Sequence, residues 1–413
     1  VPSAVLLGLG SIVGTGVFVS IGLGAEIAGA GVIIAIFVAG FLALCNALSS
    51  AQLARAHPVA GGTYEYGYVY LNPWLGFGAG WVFVFAKCAS GATAALGFAG
   101  YLLTALDLGP AVRTPLAVTT VVVLTALVLS GLRRASATNT VIVSFALLSL
   151  MIFVTAGLPR IDLDKLSILS TGEDGSFAIA PLLEACALMF VAYTGYGRIA
   201  TLGEEVRRPR RTIPRAIAIT IGVSLALYVL VAVVAIGTLG APGIAEATRA
   251  TGAPLEVASA RFGPWSRWIV AIGAIAAMLG VLLNLILGVS RVILAMGRRG
   301  DMPGITARLG RSREPLVAIA LTGTIIAGLA LIGDIRTTWS FSALTVLIYY
   351  AITNVAALRL TGTNRLYPRA MSWLGLAGCL TLAAWIDPHV LGVGAAMIAA
   401  GVIWRMTLIS TRR

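Results

Sequence analysis

Two stretches of this chain contain backbone that a membrane-spanning helix cannot keep hydrogen-bonded to itself. The first, GLGSIVGTGVF, carries Gly8, Gly10, Gly14 and Gly16, and each glycine weakens a helix interior by about 1 kcal/mol relative to alanine. The second is AYTGYG, Ala192 to Gly197. In hydrocarbon a freed amide or carbonyl must be met by protein, water or ligand, so these interruptions predict a polar cavity near mid-membrane. Glycines at Gly10 and Gly14 also suit close helix packing, an alternative that stands beside the cavity. One cation joins the inventory. Lys87 lies inside WVFVFAKCASGATAALGFAGYL, where a charge costs about 2.5 to 3.5 kcal/mol on insertion scales and must face a cavity or a partner. Three roles are open to it: a titrating group, a hold on an acidic part of a ligand, or a structural contact.

The elements that must position these residues are membrane helices. Of the 413 residues, 59% are hydrophobic and 11% charged, and the mean hydropathy is +0.96. One soluble core could not hide so much apolar surface. The apolar residues come in blocks of about 20, the length that crosses a ~30 Å hydrocarbon core. Breaks at proline, glycine and charge clusters divide the chain into about twelve spans, the first at about 4 to 28 and the sixth at about 180 to 203. The first begins almost at Val1, without an initiator methionine, so an N-terminal tail is expected to precede it. The two interrupted spans are five apart, the spacing of an inverted five-helix repeat with its site where the broken helices meet.

The formal charge of +13 does not indicate nucleic acid. Only Lys87 and Lys165 are lysines, and the arginines sit between apolar blocks with no single basic stripe. Their placement is topological. Arg55, Arg133, Arg134, the run from Arg207 to Arg215, and Arg298 to Arg313 fall in alternate connections, which puts both termini in the cytoplasm. Cys45, Cys88, Cys186 and Cys379 lie inside apolar segments without CxxC spacing, so no metal is expected. There is no Walker A segment or HExxH, and His57 and His389 both fall near membrane edges. A membrane-embedded enzyme of lipid or sugar-phosphate metabolism would need paired carboxylates, metal ligands or a nucleophile with its base, and none is evident. A small-solute channel is the other alternative; interruptions in both halves favour a carrier.

Four ordered motifs give a resemblance. GSIVGTGVF (Gly10 to Phe18), HPVAGGTYEYGY (His57 to Tyr68), YTGYGRIATLGEEVRRPRRTIPRAI (Tyr193 to Ile217) and SRVILAMGRRGDMP (Ser290 to Pro303), the last followed by Glu314-Pro315, resemble signatures of the amino acid-polyamine-organocation (APC) superfamily of permeases. The resemblance implies an all-α polytopic membrane protein of about 12 transmembrane helices. Its LeuT-like fold has a first inverted repeat over 1-158, a second over 180-359, and two peripheral helices with the cytoplasmic C-terminus over 371-413. It implies a secondary transporter of amino acids or related amines in the plasma membrane, with no enzyme activity and no cofactor. The partners are a small-molecule amino acid, the lipid bilayer, and a coupling proton or an exchanged amino acid, with no nucleic acid.

In that family an α-amino acid lies between the breaks of helices one and six. The N-terminal end of a half-helix presents amides to an anion and a C-terminal end presents carbonyls to a cation, so a zwitterion suits both. The resemblance places the carboxylate against Thr15, Gly16 and Val17, bordered by Ser11 and Ile12, and the amino group against carbonyls of Phe190, Val191 and Tyr193. Tyr193 and Tyr196 either close over the ligand or pack against helix one. Asn284 either faces the pocket or bonds between helices. Lys87 falls where arginine/agmatine exchangers of the superfamily line the pocket.

Departures from the pattern carry information. FVAYTGYG puts Val191 where relatives have a gating aromatic and Gly197 where they have an acid. NTVIVSFALL from Asn139 lacks the lysine that relatives carry in span five, which counts against their commonest proton mechanism, and Gln52 replaces a frequent glutamate. Glu204 and Glu205 read as braces for Arg207 and Arg208, and Arg198 as a pairing group inside the bundle. Ser290 lies too near the cytoplasmic end to be a sodium ligand.

Overall fold

The computed structural model describes residues 2–57, 61–131, 136–167, 178–200, 209–310, 314–362 and 365–410. Among these the regular elements are all helical. The first span is three pieces, α1 (Pro2–Ile12), α2 (Thr15–Phe18) and α3 (Ser20–Ala28), followed by the unbroken α4 (Val32–Ala56) and the short α5 (Thr63–Tyr70). Then come α6 (Pro73–Ala105), α7 (Arg113–Leu129) and α8 (Ser136–Gly157). The sixth span is again broken, with α9 (Ile179–Tyr193), a 3-10 turn at Thr194–Tyr196 and α10 (Gly197–Ala200). After α11 (Pro209–Leu239), two short helices, α12 (Ala241–Thr251) and α13 (Pro254–Ser259), lead to α14 (Pro264–Arg299). The chain closes with α15 (Leu316–Ile332), α16 (Ile335–Leu358), α17 (Arg369–Ala384) and α18 (Pro388–Ser410). Nine described segments are long and apolar enough to cross a membrane, the first of them, Thr15–Ala56, running from the first break through α4, and α15 is a shorter apolar helix.

Local sequence explains where these helices start. Asn72 caps α6 by accepting from the Leu75 amide at 2.9 Å, with Pro73 in the first turn, and Asp334 caps α16 by accepting from Thr337 at 2.7 Å. At 33 residues, α6 is about 50 Å long, well over the hydrocarbon thickness, and it is the helix around which the bundle is built. Hydroxyl pairs join it to α16: Ser90 with Ser342 at 2.7 Å and Thr93 with Thr338 at 2.8 Å. Between apolar helices such pairs supply the directional contacts that hydrophobic burial cannot.

Charged side chains tie the bundle at both ends. At the end where α3 stops and α9 and α16 start, Glu26 pairs with Arg336 at 3.3 Å and Arg249 at 3.5 Å, and Arg336 reaches Glu184 at 3.7 Å. These four line a cleft of about 630 Å³ with Trp385. Nearby, Arg267 pairs with the fully buried Glu256 at 3.0 Å and with Asp107 at 2.7 Å. At the opposite end buried Asp301 accepts from Tyr64 at 2.8 Å and Tyr68 at 2.6 Å and pairs with Arg405 of α18. Trp404 donates to the Asp301 carbonyl at 3.0 Å.

Candidate functional site

Both interruptions fall where the glycines fall. The α1 ladder ends with Val13 donating to Leu9, and hydrogen bonding resumes when Val17 and Phe18 each donate to Gly14 at 3.1 Å. Thr15 and Gly16 therefore stand in the first turn of α2, where helix geometry supplies no acceptor for an amide. On the other side, Val191 accepts from the Thr194 hydroxyl at 2.8 Å, and the Thr194 amide also donates to it. The two breaks touch backbone to backbone: a Cβ on Gly195 would collide with the carbonyl of Ser11. A Cβ on Gly16 would lie 2.7 Å from the Tyr228 hydroxyl and 3.0 Å from Ala192 Cα. Glycine at these positions serves close approach of the two broken helices.

Aromatic side chains from neighbouring helices hydrogen-bond to carbonyls at and near the breaks. Tyr228 of α11 hydrogen-bonds to Ile12 O at 2.9 Å and Ala192 O at 3.1 Å, one hydrogen shared between one carbonyl on each side of the contact. Trp339 donates to Leu188 O at 3.0 Å and Tyr101 to Phe18 O at 2.7 Å. Tyr350 reaches Thr194 O at 3.4 Å.

Between the breaks is an internal cavity of about 50 Å³. Of the residues expected from the sequence, Ser11, Ile12, Thr15, Gly16, Lys87 and Val191 line it. Ser90, Ala192, Thr194, Gly195, Val281, Leu285 and Trp339 complete the wall. The other expected residues stand back from it. Val17 is buried within α2. Phe190 packs edge-on to Tyr350 at 5.7 Å, and the Tyr193 hydroxyl donates to Ile36 O at 3.1 Å. The Tyr196 ring lies 5.5 Å from that of Tyr350. Asn284 is half-buried on α14, one residue before the lining Leu285.

Two polar groups distinguish the wall. Thr15 is 4% exposed and its hydroxyl has no hydrogen-bond partner. Lys87 donates to the Thr194 hydroxyl at 3.2 Å and lies 6.0 Å from the Phe83 ring. Among the described residues no carboxylate lines the cavity. Asn139 and Val143 of α8 press on Gly10 beside the first break. Glu204 and Glu205 lie outside the described residues.

Some of this wall was beyond the sequence. Ser90 follows Lys87 by three positions on one helix, a same-face signal that was there to use. Thr194 and Gly195 were inside the recognised break but unassigned. Val281 and Trp339 in the wall, and Tyr228 behind it, come from distant helices whose rotation one sequence does not reveal.

A bundle of apolar helices around a cavity with a lysine and hydroxyls in its wall, flanked by two interrupted helices, is the architecture of a membrane transport protein. The chain belongs to the amino acid permease family, whose sequence model matches residues 1–407, within the APC superfamily. It is 41% identical to an uncharacterized transporter of Mycobacterium tuberculosis over 99% of this chain and 91% of the relative. It is 27% identical to a branched-chain amino acid permease of Bacillus subtilis, over 90% of this chain and 82% of that one. A chloroplastic cationic amino acid transporter of Arabidopsis thaliana is 26% identical over 86% of this chain and 64% of its own length.

Proposed function

We propose that this protein is a secondary transporter that moves an amino acid across the plasma membrane by alternating access, with both termini in the cytoplasm. The substrate sits between the two breaks. Its carboxylate meets the first turn of α2 and the Thr15 hydroxyl, and its amino group meets the carbonyl end of α9 around Val191. Residues 1-158 and 180-359 act as inverted repeats that rock against each other, with 371-413 at the periphery. Proton coupling or exchange supplies the driving force. What carries the reading is the Thr15 hydroxyl, buried and unpartnered on a residue that lines the cavity between the breaks, because a buried hydroxyl without a partner is stabilised by a ligand that bonds to it.

The test is a thermal-stability screen of the purified protein with the twenty amino acids, followed by uptake into proteoliposomes. A ligand that binds the folded state raises its stability by mass action. Saturable uptake of a stabilising amino acid supports the proposal. A folded protein that responds to no amino acid refutes it.

A further inference from the structure

The cavity wall is electrically unbalanced. Lys87 supplies an ammonium with three donors, yet its hydrogen-bond acceptor is a single hydroxyl, that of Thr194, which is itself donating to Val191 O. Among the described residues Lys87 forms no ion pair. Five described carboxylates are already committed to arginines: Glu26 and Glu184 in the cleft, Glu256 to Arg267, Glu65 to Arg299 and Asp301 to Arg405. A half-buried cation between apolar helices, with no anion beside it, is destabilised until one reaches it.

From this we infer that the transported amino acid carries a second acidic group that pairs with Lys87, so that the site selects acidic amino acids over neutral and basic ones. The inference rests on the reading of this cavity as the amino acid site. With the α-carboxylate and α-amino group held at the breaks, the third wall of the cavity is α6, and Lys87 is the charged group it presents, beside Ser90. A neutral side chain leaves the ammonium uncompensated and a basic one adds repulsion; an acidic one neutralises it, so discrimination works by both attraction and exclusion. A purely structural role for the Lys87–Thr194 contact makes a different prediction. Its loss would then weaken every ligand alike.

The experiment measures thermal stabilisation of the purified full chain by aspartate, glutamate, asparagine, glutamine, leucine and arginine, for the wild type, Lys87→Met and Lys87→Arg. In the wild type an acid should half-saturate at a concentration about tenfold or more below that of its own amide. Lys87→Met should erase that ratio while amides or leucine bind at least as well as before, and Lys87→Arg should retain part of it. Equal binding of acids and amides to the wild type overturns the inference and leaves the amino acid site standing, as does an equal loss for all ligands in Lys87→Met. No stabilisation by any amino acid overturns the site reading and the inference with it. Should Lys87→Met fail to fold, the wild-type ratio of acid to amide decides alone.

Discussion

The hydroxyl of Tyr228 lies 2.9 Å from the carbonyl oxygen of Ile12, the last residue of the first half-helix. The same hydroxyl is 3.1 Å from Ala192 O across the break contact. Removing it by Tyr228→Phe leaves two carbonyls in a dry interior, which costs about 1–3 kcal/mol. The expected outcome is a protein that inserts normally, melts at a lower temperature and transports several-fold more slowly. An unchanged melting temperature and rate would show that the bridge contributes nothing.

Gly195→Ala should be far more damaging than its size suggests, because the new Cβ collides with the Ser11 carbonyl, a backbone atom with nowhere to move. Gly222→Ala is the matched control, since a Cβ there meets nothing within 4 Å and a helix gains about 1 kcal/mol from the exchange. Melting curves and uptake of the two variants, compared side by side, check this: the first should lose function, the second should keep it.

Thr15→Val replaces the unpartnered hydroxyl with a methyl of the same shape. Losing one ligand hydrogen bond worth about 0.5–1.5 kcal/mol raises the half-saturating substrate concentration roughly two- to tenfold. The melting temperature of the empty protein should stay constant or rise. A wild-type concentration dependence in the variant would place the ligand elsewhere.

Glu256 gives the protein a pH-dependent stability. Burial pushes its carboxyl up to about 7, opposed by the hydrogen bond and charge of Arg267, while Asp107 adds to the rise. A carboxyl whose folded pKa is raised binds its proton more tightly in the folded state. Its contribution is complete below the ordinary glutamate range near 4.3 and is lost as pH climbs through about 7. Melting temperatures measured from pH 4 to 9 should show that decline in the wild type and not in Glu256→Gln. Parallel curves for the two proteins would remove Glu256 from the account.

What could be read from the sequence followed from one physical rule, that hydrocarbon tolerates neither a free backbone group nor an unaccompanied charge. That rule picked out Gly10 to Gly16, Ala192 to Gly197 and Lys87, and the structure brings all three stretches to one cavity. It is silent about rotation. Asn284 and Leu285 differ by about 100° around the axis of α14, and only the packing of α14 decides which of them lines the wall. It is silent as well about Tyr228, which reads in LALYVLVAV as another apolar residue. The hydroxyl signals a role only once the carbonyls that it meets, 216 and 36 positions away, are in view.

The contact between Asp301 and Arg405 spans 104 positions and sets an order on biogenesis. A chain emerging from the ribosome has Asp301, Tyr64 and Tyr68 in hand long before Arg405 exists, and a carboxylate buried without its cation is strongly destabilising. Until α18 inserts, this end of the bundle stays loose and open to quality-control proteases. α18 thus certifies helices made long before it.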